Sequence, residues 1–166
     1  MARQVKVITA AEAAALIKNG DTVTTSGFVA SAIPEALDRA VEERFLATGE
    51  PRDITYVYCG SQGNKDGRGA EHFAHEGLLK RYISGHWATV PALQKMALEN
   101  KMEAYNVSQG ALCHLFRDIA AHRPGCFTKV GLGTFIDPRN GGGKVNDVTK
   151  EDIIELVNIK GQDYLF

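Results

Sequence analysis

The chain has 166 residues, 44% hydrophobic and 23% charged, ordinary values for one globular domain with a proper core. Its formal net charge is -1 with Lys and Arg scattered, so no basic field is available to hold nucleic acid or an anionic membrane surface. No run of about 18 apolar residues exists, and Glu12 and Lys18 interrupt the start, so neither a membrane span nor a leader is expected and the protein reads as cytoplasmic.

Thr9-Ala-Ala-Glu12 is a capping-box pattern ahead of the apolar run AAALIK, with Gly20 as the stop. Residues 21–26 (DTVTTS) read as a short strand, followed by a turn of small residues over 27–33. Pro34 suits the first turn of a helix that runs through EALDRAVEERFLAT and ends at Gly49. Residues 53–59 (DITYVYC) have the β-branched and aromatic content of a buried strand. The next ten residues, GSQGNKDGRG, hold four glycines and form a loop. A helix over 71–79, a strand over 80–84, a helix over 91–100, a strand over 103–107 and a helix from Gln109 to about His122 follow. Pro124-Gly125 closes the last of these. Residues 152–166 read as two short strands joined at 160–163. An end on two apolar residues in mid-strand suggests a chain truncated at its carboxyl side.

Strand–helix alternation with short links predicts an α/β fold with an open, mostly parallel sheet and flanking helices. Ligands in such sheets sit at the carboxyl ends of the strands. Small-residue and glycine loops follow one predicted strand at Ser26-Gly27, another at 60–69 and a third at 131–143, so they gather at one edge.

Local chemistry gives several candidates there. GSQGNKDGRG matches neither phosphate-binding glycine pattern, and no helix follows Gly131-Leu-Gly133-Thr134. His72 and His75 lack a clear third metal ligand and read as a polar helix edge. His86-Trp87 either lines a pocket or packs. Cys59, Cys113 and Cys126 show no ligand or disulfide spacing. Ser26 and Ser31 lack an assignable His/Asp partner, but the tight turn around them presents backbone N–H groups of the kind an oxyanion hole needs. Gln109, after Ser108, projects an amide from the first turn of a helix, which suits a carboxylate, or Ser-Gln-Gly is a plain cap.

DGRGAEHFAHEGLLKRYISGHW, ALENKMEAYNVSQGALCHLFRDIAAHRPG and VGLGTFIDPRNGGGKVN, in that order, resemble the α-half of family I CoA-transferases, nearest the acetate/propionate type with fused halves. The resemblance covers residues 7–166. It implies the amino-terminal part of a single α domain (residues 1–166) of the kind also seen in sugar-phosphate isomerases (NagB/RpiA-like). It also implies CoA exchange between an acyl-CoA and acetate, propionate, butyrate or a 3-keto acid.

The family's glutamate attacks the thioester and passes through an acyl anhydride to a glutamyl-CoA thioester. That glutamate lies beyond this chain, so no catalytic residue is expected among Glu12, Glu35, Glu42, Glu43, Glu71 and Glu76, and the chain alone is expected to be inactive. The resemblance places Gln109 and Gly110 on the substrate carboxylate, Ser26, Gly27, Phe28 and Val29 in the turn shaping the acyl pocket, and Gly131, Gly133 and Thr134 in a loop at the same pocket. It implies no permanent cofactor or metal, coenzyme A entering as acyl-CoA substrate, a complementing carboxyl-terminal half and a homo-oligomer. Ala30 and Ala32 stand where this branch often has glycine, Ala88 where glycine is common, and Ser108 replaces proline. Two readings compete: a sugar-phosphate sensor of related fold using Lys65 and Arg68, and an inactive folded remnant.

Overall fold

In a computed structural model describing residues 5–166, helix α1 (Ala10–Ala14) begins at the capping box. The Glu12 N–H donates to the Thr9 hydroxyl at 3.2 Å, and the Thr9 N–H donates to the Glu12 carboxylate at 2.8 Å. Two orphan donors are satisfied at once, which holds a helix too short to persist alone. The first four residues of the stretch read above as no leader lie outside the described residues. Helix α2 (Glu35–Thr48) has Pro34 at its N-cap and Gly49 at its C-cap, the glycine left-handed at φ 74° with its N–H on Phe45 O.

Strands β1 (Thr22–Val23), β2 (Ile54–Tyr58), β3 (Leu79–Ser84) and β4 (Glu103–Asn106) form an all-parallel sheet in that spatial order. Right-handed crossovers between successive parallel neighbours put every connection on one face. That face carries α2, a 3-10 turn at Gly69–Phe73 and helix α3 (Pro91–Leu98). Ile54, Tyr56, Tyr82 and Ala104 point into it and pack with Val41, Phe73 and Leu93. Burial along β2 alternates accordingly, with Thr55 and Val57 less buried than their neighbours.

Helix α4 (Gln109–Ala120) crosses to the opposite face. There Leu112 packs in a second core with Tyr105, Ile136, Ile154 and Leu165, against Val57 and Ile83 of the sheet. The hairpin of β5 (Leu156–Ile159) and β6 (Gln162–Leu165) closes this layer through Leu165, which exchanges backbone hydrogen bonds with Thr128. The layer is thin. A cleft of about 580 Å³ lies between α4 and the sheet, with Val57, Ile83, Leu115 and Ile119 among its walls.

Three expectations need correction. The predicted helix over 71–79 is only the 3-10 turn, because long-range bonds claim its residues. The Glu71 carboxylate accepts from the N–H groups of Gly67 and Ala92, and Leu78 and Leu79 are drawn into the core at the start of β3. The 21–26 strand shrinks to two residues. The segment before Gly131 makes one bridge, Thr128 to Leu165, and is no strand of the parallel sheet.

Candidate functional site

The carboxyl ends of β2, β3 and β4 lead into Cys59-Gly60, Gly85 and Ser108-Gln109. The connection after β4 is the one that changes face, and a crevice opens where strand connections diverge in this way. Gln109 is the first residue of α4. Ser108 is the N-cap residue and makes no side-chain cap bond.

Gly85 lets Gln109 lie where it does, and Gly60 borders it. A Cβ built on Gly85 falls 2.4 Å from the Cys59 carbonyl oxygen and 2.8 Å from both Cα and Cβ of Gln109. One built on Gly60 falls 3.4 Å from the Phe28 ring and 3.5 Å from the Gln109 amide carbon and oxygen. The Gln109 amide and the Phe28 ring thus both border Gly60, with Phe28 more than half exposed at 58%. Gly110 has open space around it. Sequence reasoning singled out Gln109 and Phe28 but assigned no role to the two glycines beneath them, whose partners are remote in the chain.

The turn after β1 reaches this point because it is clamped from behind. Gln62, fully buried, accepts from Tyr56 Oη at 2.8 Å and from Thr25 Oγ1 at 2.5 Å, and its amide nitrogen donates to the Ser26 carbonyl. Tyr58 donates to the Gly27 carbonyl. Gly27 sits at φ 113°, and a Cβ there would meet Ala32 O at 2.8 Å. Val29 and Ala32 take positive φ angles of 53° and 55°, a costly backbone for residues with side chains.

Three backbone donors of this turn are not available to an oxyanion. The Phe28 N–H donates to Ser31 O, Ser31 N–H to Phe28 O, and Val29 N–H to Ser61 O, all at 2.9–3.0 Å. These donors are consumed in holding the turn and its partner loop together. Ser26 and Ser31 are exposed. The apolar cleft under α4 is a separate space: Ser108 and Ala111 are among its walls and Gln109 is not.

The glycine-rich 131–143 loop is built around buried Asp137. Its carboxylate accepts from the Gly133 N–H at 2.9 Å, from the Arg139 N–H at 3.0 Å and from both arms of the Arg139 guanidinium. The Arg139 side chain and these backbone donors hold the Asp137 acid far below its usual range. Thr134 donates to Gly131 O, and Gly131 packs toward Leu165 and Ile136. The loop meets β4 at its far end, where the Asn106 N–H donates to Gly143 O at 2.8 Å. Gly131, Gly133 and Thr134 therefore lean on the hairpin side and are not among the nearest neighbours of the Gly60 Cβ position.

The sequence model of the coenzyme A transferase family matches residues 7–166. The chain belongs to that family. Caffeate CoA-transferase of Acetobacterium woodii is 40% identical over 161 residues, which cover 97% of this chain and 31% of that protein. Acetate CoA-transferase YdiF of Escherichia coli strain K12 is 39% identical over 165 residues, 98% of this chain and 31% of the relative. The solved acyl-CoA transferase YdiF of E. coli O157:H7, in its thioester complex with CoA, superposes with a TM-score of 0.88 at 37% identity, over 95% of this chain and 33% of that one. The chain spans about a third of the length of these relatives.

In this CoA-transferase chain the first-half carboxylates serve structure. Glu12 closes the α1 cap, Glu71 holds two backbone N–H groups, and Glu35 and Glu42 grip histidines. His72, buried rather than on a helix edge, bonds Glu42 at 2.5 Å and Glu35 at 3.0 Å, while His75 bonds Glu42 at 2.6 Å. No cluster fit for a metal ion occurs among the described residues. Trp87 packs edge-on against Tyr82 at 4.7 Å, whereas His86 is exposed beside Gly85. No helix of the described residues is long and apolar enough to cross a membrane.

Proposed function

We propose that this chain supplies the carboxylate- and acyl-recognising part of a CoA-transferase that moves CoA between an acyl-CoA and a short-chain carboxylate. The reaction runs through a glutamyl-CoA thioester whose glutamate comes from polypeptide outside these 166 residues. The observation that carries this reading is that the Gln109 amide and the Phe28 ring both lie within 3.5 Å of the Cβ position of Gly60, at the strand ends. An amide donor at a helix start complements a carboxylate, and the helix dipole adds to it. The exposed ring offers an apolar wall for a short acyl chain. In this reading Gly110 keeps the carboxylate end open, and Ser26, Gly27 and Val29 hold Phe28 in place. Gly131, Gly133 and Thr134 border the acyl end from the hairpin side. CoA is substrate, and remote binding of it contributes to the reacting centre.

A sugar-phosphate sensor is not favoured, since the relatives found are CoA-transferases. The test is steady-state exchange by the chain assembled with its complementing half. Gln109→Ala is expected to raise KM for the free carboxylate roughly tenfold, the loss of one charge-assisted hydrogen bond. Phe28→Ala is expected to change the preference between acetate and butyrate. Unchanged KM and unchanged preference would remove both assignments. Absence of CoA exchange in a folded assembly would remove the reaction itself.

A further inference from the structure

The turn that carries Phe28 does not hold its own shape. Gly27 lies at φ 113°, and Val29 and Ala32 take positive φ angles of 53° and 55° although both carry side chains. Backbone of this kind persists where its surroundings impose it. One hold is the loop after β2. The Val29 N–H donates to Ser61 O at 3.0 Å and the Gly63 N–H donates to Val29 O at 2.9 Å, which sets Val29 beside Gln62. Gln62 is anchored in turn, its carbonyl accepting from the Ala70 N–H at 2.9 Å. A second hold is the Gln62 side chain, which is fully buried. The Ser26 carbonyl has no proton to give, so the amide nitrogen faces it and donates, and Oε1 is left to the hydroxyls of Tyr56 at 2.8 Å and Thr25 at 2.5 Å. The same nitrogen stands 2.9 Å from the place a Gly27 Cβ would occupy. One buried amide thus braces the backbone of both residues that precede Phe28.

We propose that Gln62 is a positioning residue that sets the acyl-chain preference of the transfer from behind the pocket, by holding the Ser26–Gly27 backbone and through it the Phe28 ring. This rests on the reading of Phe28 as the acyl wall. Gln62 is buried and acts through that ring, so it is no catalytic residue. Without the amide donor the Ser26 carbonyl loses its partner, and the strained turn is free to relax. The ring then leaves its place beside Gly60. An acid long enough to lie along the ring loses contact, whereas acetate has a single methyl group to lose it with. The consequence falls on the ratio of kcat/KM for butyrate to that for acetate rather than on both alike.

The test uses the chain assembled with its complementing half, with Gln62→Glu as the principal variant. Glutamate keeps the length of the side chain and an oxygen for Tyr56 and Thr25, but it donates to the Ser26 carbonyl only while protonated. Burial raises such a carboxyl toward neutrality. The butyrate-to-acetate ratio of Gln62→Glu is expected to match the parent's in mild acid and to fall roughly tenfold as pH rises past that titration. Tyr56, raised by burial, stays protonated throughout, and Asp38, with its carboxyl at about 7, is common to parent and variant, so the parent's profile subtracts it. Para-fluorophenylalanine in place of Phe28 reports on the ring, and its fluorine resonance is expected to move in Gln62→Glu with the same midpoint. Gln62→Met, apolar and of like length, should show the low ratio and the displaced resonance at every pH, and it decides the matter if the charged variant fails to fold. A parent-like ratio and resonance in either folded variant would overturn the proposal, as would a ratio that falls while the ring stays still. A ring that moves while the ratio stays would instead remove Phe28 as the acyl wall, and the specificity role of Gln62 with it.

Discussion

At Gly85 a single methyl group would meet two backbones at once, the Cys59 carbonyl and the first residue of α4. Neither is the free end of a flexible side chain, so Gly85→Ala must shift the strand end or the helix. The expected cost is about 2 kcal/mol or more in urea unfolding, typical of overpacking in a closed site. Gly110, the second residue of α4, has open space, and its replacement by Ala is expected to add about 0.5–1 kcal/mol through helix propensity. Equal effects at the two positions would mean that α4 does not rest on Gly85. The place of Gln109 at the start of α4 was legible from local pattern, whereas Phe28 was singled out only through the family resemblance. Gln62, Gly60 and Gly85 were not legible in these roles, because what matters there is contact between segments far apart in the chain. The committed N–H groups of Phe28 and Val29 escaped for the same reason, since Val29 pairs with the loop after β2.

Among the elements, the boundaries marked by local chemistry came out closely: the Thr9–Glu12 box, the α2 stretch between Pro34 and Gly49, and the β5–β6 turn at Lys160-Gly161. The segment 71–79 did not, because its fate is set by the seam it forms with α2. In that seam burial alone would lower the His72 pKa, but hydrogen bonds to Glu35 and Glu42 outweigh it and hold His72 above its usual value. Burial likewise opposes the Glu35 and Glu42 carboxylates, and the histidine bonds keep both below their usual range. The contribution of His72 is therefore complete below about pH 6.5 and fades as pH rises through its raised value, while those of Glu35 and Glu42 are complete above about pH 4.3 and fade in acid. Asp38 works against the seam at high pH. It is 1% exposed, its Oδ2 has no partner, and burial pushes its carboxyl up to about 7. Since the folded form holds its proton more tightly, stability is lost as pH rises from about 4 to 7. Asp38→Asn removes that loss. Its advantage over the parent in urea unfolding is expected to grow by about 2 kcal/mol between pH 5 and pH 7.5. A pH-independent difference would show that Asp38 ionises as readily in the folded state as in the unfolded one.

For the whole molecule, the alternation of strands and helices was enough to read an α/β sheet of parallel strands, and four parallel strands in sequential order are found. How the layers share out was not readable from periodicity. It follows from handedness, which stacks three crossovers on one face and leaves the other to α4, the 131–143 loop and the hairpin. The two faces are unequal for that reason. Ile54, Tyr56, Tyr82 and Ala104 are sealed on one side, while Val57 and Ile83 on the other border the 580 Å³ cleft. An apolar space of this size open to water binds apolar solutes. The 166-residue chain is therefore expected to enhance the fluorescence of an environment-sensitive apolar dye with saturable binding. Ile119 lines the cleft yet is 57% exposed, so Ile119→Lys is tolerated by the fold and should weaken the dye roughly tenfold. Assembly with a complementing half that covers the face should abolish the signal altogether. Dye binding that ignores Ile119→Lys would place the exposed apolar surface elsewhere, and dye binding that survives assembly would leave this face outside the joint between the halves.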